Sequence, residues 1–332
     1  MNTSRIRLAE FKVQTVQGQV STNELYANGR HQCEVYIVVA KEVEDPFGGI
    51  KRITPLTATE KASVTLVEYS TNIGATLPAG WTCDTVKNAY DCGLRKHFRD
   101  GVLEESSTVE AHVPRASVAP IEVLKRYLRL NEAQPLQTRR FMARITVGGK
   151  IYTTNFSGDD SLFNSYVEIV PQLPYRLSVR ELGAYRDIFA YEDKTIPLSI
   201  HVYYWHPPAG LVMLESLGLT APLNVENEGA NFHTSFYGFL GYFRGGVPIG
   251  KNTPEASLQM SDVQRNLYFD KNPAIEFTLL PTVMRAVVVE WLDLYKYGQS
   301  QGYWRLIDNL GCMHQFRIVE GDNHTLPLKL TD

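Results

Sequence analysis

Side chains able to ligate a metal, move a proton or attack a carbonyl are scattered through this chain rather than gathered. His201 and His206 are the one closely spaced pair among eight histidines. No cysteine or carboxylate stands at ligand spacing from them, so they read as structural rather than as half a zinc site. Asp159-Asp160 and Glu192-Asp193 are acidic pairs that suit solvated turns better than calcium binding or acid–base work. No GxSxG elbow, Walker loop, dinucleotide fingerprint or HExxH is present. The chain therefore reads as non-enzymatic, with no catalytic or metal residues assigned and no cofactor implied.

Cys33 and Cys312 lie inside strand-like runs and are expected as buried thiols. Cys83 and Cys92 bracket a stretch able to close a loop, and are expected to be reduced for want of an export signal. Lys125, Arg126, Arg129, Arg139, Arg140 and Arg144 form a basic cluster, expected to be a solvated face of a hairpin. The net charge of −3 supplies no field that draws nucleic acid, so no nucleic-acid partner is expected.

The aromatic residues carry the stronger signal. Phe232, Phe236, Tyr237, Phe239, Tyr242 and Phe243 fall within twelve positions of a glycine-rich stretch, residues 232–250. At roughly 150–250 Å² each they offer about 900–1,500 Å² to bury, more than a monomer leaves in water. Three burial sites are open: the core of their own domain, with the segment as a short helix; a subunit interface; or a bilayer. A second set, Tyr203, Trp205, Trp291 and Trp304, belongs to a wider run of Tyr and Trp. Its ordinary reading is packing, and its functional one is stacking on sugar rings at an exposed end of a sandwich.

The elements that must position these residues are strands. The chain has 332 residues, 44% hydrophobic and 21% charged, with 18 Tyr, 14 Phe and 4 Trp, the make-up of a globular β-rich protein of about two domains. Asn28-Gly29 marks a turn, and Cys33, Val35, Ile37 and Val39 then share one face of a strand. Thr57–Glu60 opens a new element and Ser63–Tyr69 reads as a strand. Residues 121–130 fit a helix or a strand, and are read as a strand in a hairpin with Arg139–Val147. Gly148-Gly149 then turns into Ile151–Thr154. Further strands are expected at Tyr166–Val170, Tyr175–Leu182, Leu198–Trp205, Ala274–Leu280, Met284–Leu292, Tyr303–Ile307 and Cys312–Val319. In the Leu198–Trp205 strand, Leu198, Ile200, Val202 and Tyr204 face the core of a half-buried sheet. His31-Gln32-Cys33-Glu34-Val35 and His314-Gln315-Phe316-Arg317-Ile318 both read HQ-x-x-apolar, a match short enough for chance.

The expected fold is all-β: two tandem β-sandwiches, immunoglobulin-like or jelly-roll-like. Residues 1–24 form an extended arm, 25–157 a first sandwich, and 158–332 a second, aromatic-rich one. No apolar run has the form of a secretory leader or the length of a membrane helix. A chain made in the cytoplasm is expected, released or particle-associated if it acts outside. Residues 25–40, through Ala27-Asn28-Gly29 followed by Val35, Ile37 and Val39, resemble the opening strands of bacterial immunoglobulin-like domains of the invasin and intimin kind. That resemblance implies a spacer or adhesive module without catalytic residues. The expected role is a structural or assembly protein that self-associates through sandwich surfaces and the arm. The alternatives are a glycan- or cell-surface-binding module and a membrane-inserting toxin using residues 232–250.

Overall fold

The computed structural model describes residues 5–45, 49–95, 98–99, 102–103, 121–158, 161–186, 190–193, 195, 198–220, 236–239, 243–248, 257–259, 272–278, 284–291, 298–299, 302–320 and 328–332. The described chain is almost wholly β and divides into two compact units, Met1–Pro174 and Tyr175–Asp332.

In the first unit the strands are β1 Arg5–Thr15, β2 Ser21–Thr22, β3 Cys33–Glu44, β4 Lys51–Thr54, β5 Thr65–Glu68, β6 Trp81–Asp84, β7 Phe98–Arg99, β8 Val102–Leu103, β9 Glu122–Leu130, β10 Arg139–Val147, β11 Lys150–Thr153, β12 Ser157–Gly158, β13 Ser161–Leu162 and β14 Val167–Ile169. One sheet runs β1-β3-β9-β6 with β4 beside β3, and the other runs β11-β10-β14-β2 with β5 beside β10. The inner faces of both bury a single core. Phe11, Val35, Ile37, Leu128 and Leu130 come from the first sheet, and Leu66, Phe141, Ile145, Val167 and Ile169 from the second. The period-two pattern of Cys33, Val35, Ile37 and Val39 is the inner face of β3, as the alternation requires. One short helix, α1 Ala58–Ser63, starts at Thr57, which forms a capping box with Glu60.

Four features differ from the sequence expectation. The expected extended arm lies within the first sandwich over residues 5–15: β1 pairs with the chain's own β3 from Arg5 opposite Glu44 to Thr15 opposite Val35. A register shift between Leu8 and Glu10 inserts one residue, so Leu8, Phe11 and Val13 reach the core out of strict alternation. The outer edge of β1 is also occupied, because the Val13 amide donates to Ser165 Oγ at 3.0 Å and Ser161 Oγ donates to the Leu8 carbonyl at 3.3 Å. Second, β9 and β10 are strands but not a hairpin. β9 lies between β3 and β6 while β10 lies in the opposite sheet, so residues 131–138 cross the sandwich. Third, the boundary falls at 174/175 rather than 157/158. Phe163, Val167 and Ile169 fill the first core, and β14 pairs with both β10 and β2. Fourth, Tyr175–Leu182 is not a strand: it holds a 3-10 turn at Val179–Glu181.

In the second unit the strands are β15 Gly183–Arg186, β16 Tyr191–Asp193, β17 Leu198–His206, β18 Met213–Leu219, β19 Phe236–Phe239, β20 Phe243–Pro248, β21 Ser257–Gln259, β22 Ala274–Glu276, β23 Met284–Trp291, β24 Gly298–Gln299, β25 Trp304–Asp308, β26 Met313–Glu320 and β27 Leu328–Thr331. A seven-stranded sheet runs β15-β17-β23-β20-β19-β24 with β16 beside β17, and a four-stranded sheet runs β18-β25-β26-β27. Trp205 of the first meets Trp304 of the second edge to face at 6.1 Å. Strand β17 is buried on both faces, with His201, Tyr203 and Trp205 as enclosed as Ile200, Val202 and Tyr204. The half-buried strand expected from its alternation is therefore a fully covered one. Glu192 and Asp193 lie in strand β16, not in a loop.

Candidate functional site

The best-defined display of loops lies at one end of the first sandwich. Strand β3 begins there at Cys33 opposite Leu128, β9 ends at Leu130, and β6 begins at Trp81 opposite Leu130. The segments before β3, before β6 and after β9 therefore emerge side by side. The Gly29 amide bonds the Leu130 carbonyl, and the Asn131 amide bonds the Gly80 carbonyl. Gly29 sits at a φ of 73° and Gly80 at 80°, a left-handed backbone that suits glycine. Packing closes Gly80 further, since a Cβ there would lie 2.1 Å from Cγ of Gln134.

A fourth segment, residues 85–95, is irregular yet braced at every stage. Gln32 is its hub: its Nε2 donates to Asp84 Oδ2 at 2.7 Å and to the Val86 carbonyl, and its Oε1 accepts from the Asn88 amide at 2.8 Å. Asn88 Nδ2 donates to the Arg30 carbonyl at 2.6 Å, and Asn88 Oδ1 accepts from the Tyr90 amide. Arg129 holds Asp84 with two nitrogens and reaches the Gly29 carbonyl with a third donor bond. The Arg129 guanidinium and the Gln32 amide keep the Asp84 carboxyl below the usual carboxylate range, against the upward push of burial. Further along, His31 Nε2 donates to the Gly93 carbonyl at 2.9 Å and the Arg95 amide donates to Tyr26 Oη at 3.1 Å. The Asn28 side chain starts the arrangement by accepting from the amides of Arg30 and His31. On this braced frame Val86 is 73% exposed, with Lys87 and Asp91 beside it, and Leu136 is exposed on the 131–138 crossing.

The residues singled out from sequence fare differently. Tyr203, Trp205 and Trp304 are buried rather than displayed at an exposed end: Trp205 is 5% exposed and Trp304 1%. Tyr203 and Trp205 stack at 6.3 Å, and Trp304 Nε1 donates to Ser216 Oγ at 2.9 Å, as buried indole requires. Trp291 ends β23 opposite Leu198 and Phe243. Phe236, Tyr237, Phe239 and Phe243 lie on β19 and β20, an antiparallel pair rather than a short helix, with β23 on one side and β24 on the other. Main-chain pairing on both edges holds this segment within a sheet. Phe232 and Tyr242 lie outside the described residues, as does the pair Asp159-Asp160.

The basic cluster is split between the two sheets, and four of its six members pair with carboxylates. Lys125 pairs with Glu34, Arg129 with Asp84, Arg139 with Glu68, and Arg140 with Glu168. Arg126 is buried and donates to the carbonyls of Val64 and Lys61, at the end of α1. Arg144 donates to the Ala75 carbonyl. His201 is buried, with Arg186 Nη2 3.5 Å from its Nδ1. No group of three or more metal-ligating side chains occurs among the described residues. The four cysteines are free thiols, and burial pushes the Cys33, Cys83 and Cys92 thiols up.

Sequence reasoning set aside one pattern that the structure explains. His31 and His314, from the two HQ-x-x-apolar matches, are both fully buried, and each accepts a main-chain amide on Nδ1. Tyr26 supplies it to His31 at 3.0 Å, and Leu177 supplies it to His314 at 3.1 Å. Each ring packs against a tyrosine, Tyr26 at 5.2 Å and Tyr175 at 5.5 Å. His314 Nε2 bonds Asp308 Oδ2 at 3.0 Å, where the Tyr175 hydroxyl also donates, and the other Asp308 oxygen accepts the Leu310 and Cys312 amides. The shared dipeptide marks a shared device: a buried ring tying a preceding segment to the start of a strand.

No protein-family model matches this chain, and no curated protein does. Among solved structures it is similar to the C-terminal domain of the Streptococcus agalactiae AgI/II polypeptide BspA, at 12% identity over 92% of this chain and 96% of that one, with a TM-score of 0.19. A second similar chain, "BspA_C_mut", shows 12% identity over 92% of this chain and 97% of that one, with a TM-score of 0.17. Superpositions at those scores carry no weight for fold or function. No described helix is long and apolar enough to cross a membrane.

Proposed function

We propose that this protein is a non-enzymatic contact protein of a structural or adhesive assembly, and that it associates first with copies of itself. One observation carries the reading: the irregular loops at one end of the first sandwich are held rigid from within and turn apolar side chains outward. Gln32, Asn88, Asp84 and Arg129 spend their hydrogen bonds on fixing residues 85–95, while Val86 is left 73% exposed. Rigid loops on a β scaffold lose little entropy on docking, which favours contact surfaces of this kind. The N-terminal arm has no part in this reading, because residues 5–15 complete the chain's own sheet.

Light scattering coupled to size exclusion tests it on the full chain. A mass well above the monomer's 37.5 kDa is expected, falling towards the monomer in the Val86→Asp, Leu136→Asp double variant with its circular dichroism unchanged. A wild-type chain that stays monomeric at every accessible concentration overturns self-association. Assembly indifferent to the double variant moves the contact away from this end of the sandwich.

A further inference from the structure

We propose that Asn28-Gly29 is a locked modification site: when the Gly29–Leu130 hydrogen bond at this end of the first sandwich opens, the Asn28 carboxamide deamidates and the end no longer closes. The dipeptide that marks the turn is also the one best suited to this chemistry, because glycine sets no side chain in the path of its own nitrogen. The reaction consumes only water. The Gly29 nitrogen gives its proton to hydroxide and attacks Cγ of Asn28. The Cγ–Nδ2 bond breaks and Nδ2 leaves as ammonia, closing a five-membered succinimide. Water then opens that ring at either carbonyl, leaving an aspartyl or an isoaspartyl residue at position 28.

The folded chain holds that nitrogen from both sides. The Gly29 amide donates to the Leu130 carbonyl at 2.9 Å, and the Gly29 carbonyl accepts from Arg129 Nη1 at 2.8 Å. Asn28 is 5% exposed, and its Oδ1 accepts from the amides of Arg30 at 2.9 Å and His31 at 2.7 Å. Those two donors polarise the carboxamide in favour of attack. The lock is therefore Gly29, whose nitrogen keeps its proton while the Leu130 carbonyl holds it. The rate in the folded chain is then set by how often this bond opens. The isoaspartyl product runs the main chain through the former side chain and adds one backbone carbon. That displaces Gly29 from Leu130 and removes the carboxamide that fixes Arg30 and His31. Residues 85–95 hang on the same stretch, since Asn88 Nδ2 donates to the Arg30 carbonyl and the Asn88 amide to Gln32 Oε1. The reaction loosens the braced end in one direction only.

The readout is a covalent change, so this proposal and the contact reading of the same end can fail separately. The full chain is incubated at neutral pH, folded and in urea. Peptide mass spectrometry follows conversion at position 28, with electron-transfer fragmentation separating isoaspartate from aspartate. Conversion is expected to be at least about tenfold slower in the folded chain. Arg129→Ala frees the Gly29 carbonyl and is expected to raise the folded rate about tenfold or more, the worth of a hydrogen bond from a charged donor. A folded chain that converts as fast as the unfolded one, or a folded variant no faster than the wild type, overturns the proposal. Should the variant not fold, hydrogen exchange of the wild-type Gly29 amide decides, followed across sub-denaturing urea. Conversion that rises in step with that exchange supports the lock, and conversion indifferent to it overturns the lock. In the isoaspartyl chain the Asn88 amide is expected to lose its protection, and an amide that keeps it overturns the one-way opening.

Discussion

Arg126 shows how a residue that looked like surface charge becomes a structural part. The sequence places it in a run of cations, yet it is buried, and its guanidinium bonds the carbonyls of Val64 and Lys61 where α1 ends. A cation there meets the negative end of the helix and fills acceptors that the helix leaves open. Arg126→Ala is expected to cost about 2–4 kcal/mol, because buried carbonyls lose charged donors and a space opens beneath the helix. Chemical denaturation of the single variant measures it, and a loss under ~1 kcal/mol would show that water replaces the guanidinium. Burial of this kind is invisible in composition: Lys125, one position away, is exposed and pairs with Glu34. Only the alternation of β9 separates the two, and that alternation was legible only once 121–130 was known to be a strand.

Among the elements, those whose identity is set by local chemistry were the ones the sequence revealed. The Asn28-Gly29 turn, the β-branched run of β3 and the Gly148-Gly149 hairpin each follow from neighbours in the chain. Pairing was harder to see. Nothing in residues 131–138 states whether β10 returns to β9's sheet or crosses to the other, since that choice depends on what the rest of the core leaves to be covered. Aromatic spacing misled in the same way at Phe236–Phe243, where a helical face and a strand pair are both compatible with the sequence, and the neighbouring strand β23 decides. The contact loops at 85–95 carried little signal because their order comes from Gln32 and Arg129, more than fifty and about forty positions away. Helix α1, expected from sequence only as a new element at Thr57–Glu60, starts on the capping box those two residues form. Thr57→Ala is expected to destabilise the first unit by about 1 kcal/mol, read as a lower midpoint in urea with unchanged slope, and Thr57→Ser by much less.

For the whole molecule, the division at 174/175 places strand β1 and residues 161–174 in one unit, where Leu8, Phe11, Val13, Phe163, Val167 and Ile169 share a core. Deleting residues 1–24 removes Leu8, Phe11 and Val13 from that core, a loss of roughly 5–9 kcal/mol at 1.5–3 kcal/mol for each buried side chain. That is comparable to the entire stability of an ordinary domain. The truncated chain is expected to lose the cooperative unfolding of its first unit in a thermal melt, not merely to change its association state. A truncated chain that melts like the full one and only dissociates would restore the reading of residues 1–24 as an arm for self-association.

The two ends of the first sandwich also set how it meets tension. The chain enters at Arg5, opposite Glu44, and leaves at Gln172, which bonds Leu25 and Ala27 close to where β3 begins. Pulling on entry and exit therefore drags β1 lengthwise along β3, so the whole ladder shares the load at once instead of peeling apart bond by bond. Forced extension is governed by the unfolding barrier, and a barrier that demands simultaneous rupture is a high one. The first sandwich is therefore expected to resist stretching between Arg5 and Gln172, which single-molecule pulling on that unit measures.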